Sequence, residues 1–281
     1  MNTLNSSICF SRFSLAGMIS VIFGISALPS FVHAELLDSW TQYSGSVSSG
    51  LNTASPVLGN GNADSESADS QTIYASSSMS YTLADVGDTV TLSAGVTFTG
   101  MVSPQSDQFR FGFYDVNGQP GATGWLGYYA TNSGTSTGPT YSRLWERDNP
   151  NTGSFGSGAG ASLLAWVNAS PSNTAFESGT YSFSLSATRV ESGLDLSWSM
   201  IGTGLIYSLS GTVVDTTPES YVFDRVGFFT GGGLNADQVA FLDVDLTFSA
   251  IPEPASTNFL LMIAAGLFTV GARHHKMFSD A

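Results

Sequence analysis

From residue 35 to residue 250 the chain alternates apolar and polar positions with a period of two. Val90, Leu92, Ala94, Val96 and Phe98 interleave with Thr91, Ser93, Gly95, Thr97 and Thr99, the pattern of a strand with one dry face and one wet face. The same alternation runs through Phe109/Phe111/Phe113, Tyr181/Phe183/Leu185/Ala187, Leu194/Leu196/Trp198/Met200 and Ala240/Leu242/Val244/Leu246/Phe248. Shorter apolar stretches predict further strands over 72–74, 80–83, 125–130, 141–147, 162–167, 205–213 and 221–229. Clusters of Gly, Ser, Asn and Pro separate them, and no window between them has helical periodicity. The strands are therefore expected to pair antiparallel, since parallel pairing needs crossover helices. The predicted fold is all-β, an antiparallel jelly-roll-like β-sandwich. Residues 44–70, rich in Ser, Gly and Asn, are expected to form a long loop or weak edge, and residues 148–161 a second loop opened by the Asn149-Pro150-Asn151 turn.

At both ends the alternation gives way to continuous apolar runs. Residues 1–34 carry Arg12, an apolar stretch from Phe13 to Leu28, and then Val32-His33-Ala34. This is the order of a secretory signal peptide, with the cut expected between Ala34 and Glu35; an uncleaved anchor is the alternative. In the tail, Pro252 and Pro254 fix two φ angles and remove two donors, so 251–254 is a stiff extended spacer. Residues 255–272 contain no charge and would span roughly 27 Å as a helix, close to the ~30 Å of a bilayer core. Arg273 and Lys276 follow, which places the short C-terminus in the cytoplasm. A buried helix of a soluble domain is the alternative for this run.

Pro252-Glu253-Pro254, the apolar span 255–272 and the basic end 273–276 together resemble the PEP-CTERM sorting signal, which exosortases process in Gram-negative bacteria. The family usually ends in consecutive Arg residues, whereas here His274 and His275 separate Arg273 from Lys276. The resemblance implies passage through the secretion machinery, transient residence in the inner membrane through the tail, an exosortase-like processing enzyme as partner, and delivery to the cell surface or an exopolysaccharide matrix. The domain organisation expected is thus a signal peptide (1–34), an ectodomain (35–250) and a sorting tail (251–281).

Composition narrows what the ectodomain can do. The three His residues (His33, His274, His275), the one Cys (Cys9) and the one Lys (Lys276) all lie in the two end segments. Residues 35–250 therefore cannot build a Ser-His-Asp triad, a thiolate nucleophile, a Schiff-base lysine, a His- or Cys-ligated zinc site or a P-loop. Removing Glu253 and Asp280 from the 22 acidic residues leaves 20 carboxylates against five Arg. Such a surface repels phosphate backbones, so nucleic acid is not an expected partner.

Three stretches carry candidate chemistry. Arg189-Val190-Glu191 leading into Leu194-Asp195-Leu196-Ser197-Trp198, then Phe223-Asp224-Arg225-Val226-Gly227-Phe228-Phe229, then Phe241-Leu242-Asp243-Val244-Asp245-Leu246 resemble the closing strands of concanavalin A-like lectin and glucanase jelly rolls. That likeness implies a sugar-binding or glucanase-like architecture without fixing the activity. Glycoside hydrolysis needs two facing carboxyls. The glucanases of this fold carry E-x-D-x-x-E on a strand, and here only Asp243-Val244-Asp245 stands in that place, so no catalytic residue is assigned and the chain is read as a non-enzyme. Sugar binding without chemistry needs aromatic faces and a few polar groups. Trp125, Tyr128, Tyr129, Trp145 and Arg143 form the best patch; the alternative is that the aromatics fill the core. Calcium is the one cofactor the residue types permit, at Asp115-Val116-Asn117-Gly118 or among Asp64, Glu66 and Asp69. The expectation is a non-catalytic surface or matrix protein with a structural or adhesive role near exopolysaccharide; the alternatives are a carbohydrate-binding module and, behind it, a degenerate glycosidase.

Overall fold

The alternation of β6 (Thr89–Thr99) in sequence is an alternation of burial in space: Val90, Leu92, Val96 and Phe98 are buried, while Thr91, Ser93 and Thr97 are half-buried on the opposite face. A computed structural model describes residues 31–45, 47–61, 68–102, 108–119, 124–133, 140–149, 160–168 and 177–251. The remaining strands, in chain order, are β1 (Phe31–Leu36), β2 (Trp40–Ser44), β3 (Val47–Ser49), β4 (Val57–Gly59), β5 (Thr72–Thr82), β7 (Phe109–Asp115) and β8 (Leu126–Ser133). They continue with β9 (Tyr141–Arg147), β10 (Ser162–Asn168), β11 (Gly179–Val190), β12 (Gly193–Gly202), β13 (Ser208–Asp215), β14 (Val222–Thr230) and β15 (Gln238–Ala250).

These form two antiparallel sheets. One has eight strands in the order β13-β12-β11-β6-β15-β4-β3, with β1 paired to the far half of β15; the other has seven in the order β10-β9-β8-β7-β14-β5-β2. Between them lies a core dominated by rings. Phe228 stacks on Phe241 at 4.2 Å, Phe111 meets Phe183 at 4.4 Å, and Phe113 meets Phe223 at 4.6 Å between centroids. Trp198 crosses the gap, donating from Nε1 to Ser142 Oγ at 3.0 Å. An all-β sandwich without cysteines in the domain is thus held by burial of large aromatic surface, at about 25 cal/mol per Å².

The elements depart from the sequence expectation in four places. Residues 72–74 and 80–83 are not two strands but parts of one, β5. Residues 44–70 contain the short strands β3 and β4, while 62–67 lie outside the described residues. In β15 the alternation changes phase: Val239 and Phe241 face the core, Leu242 and Asp243 are both exposed, and Val244 and Leu246 are buried again. The cause is a bulge between Leu242 and Asp245, where Asp243 takes a left-handed φ of 50°. Leu242, expected inward, is thereby 56% exposed. Finally, β1 runs through the expected cleavage point, with Ala34 opposite Thr247 and Glu35 opposite Leu246.

Where β15 ends, Asp88 fixes the chain. Its Oδ1 accepts from Ile251 N at 2.8 Å and its Oδ2 from Ala84 N and Asp85 N at 3.0 and 2.9 Å. The expected signal residues 1–30, the Pro252-Glu253-Pro254 motif, the span 255–272 and the basic end 273–276 lie outside the described residues. Among the described residues no helix is long and apolar enough to cross a membrane.

Candidate functional site

Because Phe109, Phe111 and Phe113 of β7 point into the core, Arg110, Gly112 and Tyr114 point away from it. The same rule on the neighbouring strands gives the seven-stranded sheet a second populated face. The register aligns it in rows across the strands. One row runs Phe229 (β14), Arg110 (β7), Thr131 (β8), Arg143 (β9), Trp166 (β10). The next runs Tyr74 (β5), Gly227, Gly112, Tyr129, Trp145, Leu163. A third places Arg225 opposite Tyr114, Tyr114 opposite Gly127 and Gly127 opposite Arg147.

In the first row each guanidinium rests on a ring. Arg110 Cζ lies 4.5 Å from the Phe229 centroid, and Arg143 Cζ lies 4.3 Å from Tyr141 and 4.8 Å from Trp166. Thr131 stands between them, its Oγ1 accepting from Trp145 Nε1 at 3.2 Å. Trp166 is half-exposed at the edge strand, and its Nε1 donates to Asn168 Oδ1 at 2.6 Å.

The second and third rows form the support. Tyr114, Trp125 and Tyr129 make a cluster, with Tyr74, Val116 and Trp145 packed against it. Tyr129 and Trp145 lie parallel within 7°, at 6.4 Å, and Tyr74 meets Trp125 edge-on at 5.0 Å. Gly112 permits this closeness, since a Cβ there would sit 2.6 Å from Tyr129 Cβ and 2.7 Å from the Tyr114 hydroxyl. Arg147 is fully buried beneath, its Nε donating to Trp125 O at 2.7 Å. Burial lowers its guanidinium from the ordinary arginine value and raises the Tyr114 hydroxyl. Burial likewise raises the Asp224 carboxyl, against the opposing effect of Arg225 at 3.8 Å.

The five residues singled out from sequence do not form one patch. Tyr128 faces the core and is 1% exposed; period-two alternation puts it on the opposite face from Tyr129, so it cannot meet a ligand. Trp125 and Tyr129 are on the outer face but buried, and they act as a floor. Trp145 and Arg143 are half-buried there. Trp166, Arg110 and Phe229, which with Arg143 are the solvent-reached members of the first row, were missed. The signal for Trp166 and Phe229 was an aromatic residue standing on the polar phase of its strand.

Carboxylates are placed elsewhere. Asp243 is the one carboxylate lining a shallow depression on the outer face of the eight-stranded sheet, beside Ser93, Ser182, Ser184 and Ser199. Asp245 accepts from Thr247 Oγ1 at 2.8 Å. A second carboxyl facing the same substrate, as hydrolysis requires, is not among the residues lining that depression. Glu146 does have the raised pKa of a general acid, about 7, chiefly through burial. Yet it is 5% exposed inside the sandwich, alongside Asp215 at 4%. The Tyr128 hydroxyl donates to Asp215 Oδ2 at 2.7 Å, with Glu146 Oε1 at 3.4 Å. Backbone donors complete the group, Glu219 N to Glu146 at 2.9 Å and Thr217 N to Asp215 at 3.0 Å. This is a structural tie between sheets.

The calcium candidate at Asp115 is a turn. Asp115 Oδ1 accepts from Asn117 N at 2.7 Å, Oδ2 accepts from Ser220 Oγ at 2.6 Å, and Asn117 and Gly118 both have positive φ. Asp64 and Glu66 lie outside the described residues. Among the described residues no three His, Cys, Asp or Glu side chains are grouped to hold a metal.

No protein-family model matches the sequence, and no curated protein matches it. Solved structures do. Arcelin-5, a lectin-like defence protein from Phaseolus vulgaris, is similar with a TM-score of 0.51 at 10% identity, over 79% of this chain and 99% of that one. Winged bean acidic lectin, solved with methyl-alpha-D-galactose, has a TM-score of 0.51 at 10% identity, over 80% of this chain and 100% of its own. Such a likeness is one of architecture, and the chain has the two-sheet jelly-roll fold of these lectins.

Proposed function

We propose that the domain is a non-catalytic carbohydrate-binding module, exported and presented at the cell surface or in its matrix. The observation that carries this is the row Phe229, Arg110, Thr131, Arg143, Trp166, in which two rings flank two cations across five strands, with the buried Thr131 as the support between them. Rings stack on the apolar face of a pyranose while the polar groups bond its hydroxyls. The rigid sheet holds these side chains in a fixed order before any ligand arrives, which lowers the ordering cost of binding. The lectin fold supports the reading as an architecture in which glycan recognition occurs, and the signal-like and sorting-like ends support export followed by processing by an exosortase-like enzyme.

The test is binding of the full-length chain to an array of polysaccharides. A glycan should be retained by the parent, and Trp166→Ala should weaken it by several-fold to about tenfold, the loss of one ring contact of about 0.5–1.5 kcal/mol. Trp166 is half-exposed at an edge, so its loss leaves the core intact. Equal retention by parent and variant would remove this face from the function.

A further inference from the structure

We infer that, while the tail is attached, the end of the sandwich from which β15 departs docks on a phospholipid bilayer; the inference rests on the membrane span of the sorting reading and adds the surface that meets the lipid. The strand register settles which residues share that end. Ser249, next to the end of β15, lies opposite Thr89, the first residue of β6, and Thr89 lies opposite Thr188 near the end of β11. The loop leading into β6 is bonded to the same region, Gly87 N donating to Arg189 O at 2.8 Å and Leu83 N to Tyr221 O at 2.9 Å. In this loop Val86 is 55% exposed, and beside it Ile251 is 45% exposed. Ile251 packs on Gly87, where a Cβ would lie 2.7 Å from its Cγ1, and its N is bonded by Asp88. Phe31, opposite Ala250, is exposed as well, so until its removal the N-terminal apolar stretch departs from the same point.

The length of chain beyond this end says what covers it. The backbone is held as far as Ile251, and four residue steps lead to Ala255, so the apolar run 255–272 begins within about 14 Å of the domain. A tether that short makes contact with the lipid intramolecular, and a weak apolar contact then suffices. Behind Val86 and Ile251, Arg189 lies over Tyr221 at 3.9 Å and makes no ion pair among the described residues. A tyrosine and a long-stemmed cation suit the boundary between hydrocarbon and headgroups. Glu191 and Glu219 are exposed at the same end, so attraction to anionic lipid is not the driving force, and the bilayer that fits is one of zwitterionic phospholipid. Docking in this way points the candidate glycan row outward. Along β14, Val222 follows Tyr221 at the docked end, whereas Phe229 is seven residues on, roughly 23 Å away at 3.3 Å per residue. Arg110, Thr131 and Arg143 are level with Phe229.

The test is depth-dependent quenching on the full-length chain reconstituted into phosphatidylcholine vesicles that contain nitroxide-labelled lipid. Cys9→Ser removes the one native thiol, and a fluorophore is placed at Val86→Cys or, as the control, at Ile206→Cys. Ile206 is 77% exposed and lies beyond the far end of β12, which starts opposite Val190 and runs roughly 30 Å away from the docked end. The expected result is at least threefold stronger quenching at position 86 than at 206. Ile251→Asp, which charges the patch without altering the tether, should lower the quenching at 86 at least twofold. Thermal melting checks that this variant is folded, and flotation with the vesicles reports insertion of the tail separately. Equal quenching at 86 and 206 in a chain that floats overturns the docking and leaves the span reading standing. Quenching at 86 that Ile251→Asp leaves unchanged overturns it too, since the tether alone then holds the domain near the lipid. A chain that does not float with the vesicles overturns the span reading and the docking with it.

Discussion

Glu146 lies between Trp145 and Arg147 in sequence, and both of these belong to the outer face of the sheet. It points the other way, into the sandwich, because adjacent strand residues take opposite faces. Its folded pKa, raised from 4.5 to about 7 by burial, makes stability depend on pH in a definite direction. Between these values the native state binds more protons than the unfolded chain, so stability falls as pH rises from about 4.5 to about 7 and then levels off. The raised Asp224 carboxyl acts with the same sign. Glu146→Gln should flatten the Glu146 part of this slope and raise the melting temperature at pH 8 relative to the parent. Melting curves at half-unit steps from pH 4 to 8 check it; a parent profile that rises across this window would show that Glu146 is not held as the structure indicates. The neighbouring pair Tyr128 and Tyr129 shows what the residue scale could not reveal. Alternation says that the two face apart, but both faces of this sheet are aromatic, so apolarity alone does not say which tyrosine is in the core.

At the scale of elements, regular strands were legible and irregular ones were not. β6, β11 and β12 carry clean period-two patterns and fall where expected, since one face meets the core and the other is lined with Ser and Thr. Cross-strand hydroxyl bonds tie that outer face together, for example Thr89 to Thr188 at 2.9 Å and Thr91 to Ser186 at 2.9 Å. β15 was misread because Leu242 continues an apparent apolar series through the bulge. Nothing in residue type marks the change of phase; it appears only when β6 supplies one residue opposite two. The bulge also creates backbone links, Val244 N to Ala54 O at 3.1 Å and Leu37 N to Val244 O at 2.9 Å. Deleting Asp243 should therefore restore uniform alternation and leave a folded protein, destabilised by about 1–3 kcal/mol through weakened links. Deleting Val239 should instead turn the first half of the strand inside out and abolish cooperative folding. Urea unfolding of the two deletions distinguishes them, and similar midpoints would contradict the assigned register. β2 to β4 escaped detection for a related reason: they are three to five residues long, too short to establish a period, and their position is set by partners distant in sequence.

For the whole molecule, the two-sheet architecture followed from composition and alternation, whereas the rows that make the candidate site depend on register between strands far apart in the chain. Arg110 and Trp166 share a row only because β7, β8, β9 and β10 are neighbours. The export reading belongs to this scale too. Intact mass of the protein from cells and from the surface fraction, with and without the exosortase, should give a chain beginning at Glu35 and ending near Pro252-Glu253-Pro254 only when the enzyme is present. A tail retained in both would make residues 255–272 a plain anchor. The pairing of β1 with β15 would give the proposed cut after Ala34 a mechanical side. Severing the chain after Ala34 would take away the β1 partners of residues 247–250, of which 247–249 would remain paired to β6 alone. The new amino terminus, however, stays moored by its own side chain: Glu35 accepts from Ser78 N at 2.7 Å and from the Tyr81 hydroxyl at 3.0 Å. If the chain is cut after Ala34 as proposed, residues 247–249 lose one of their two neighbouring strands while the segment that begins at Glu35 keeps its own contacts.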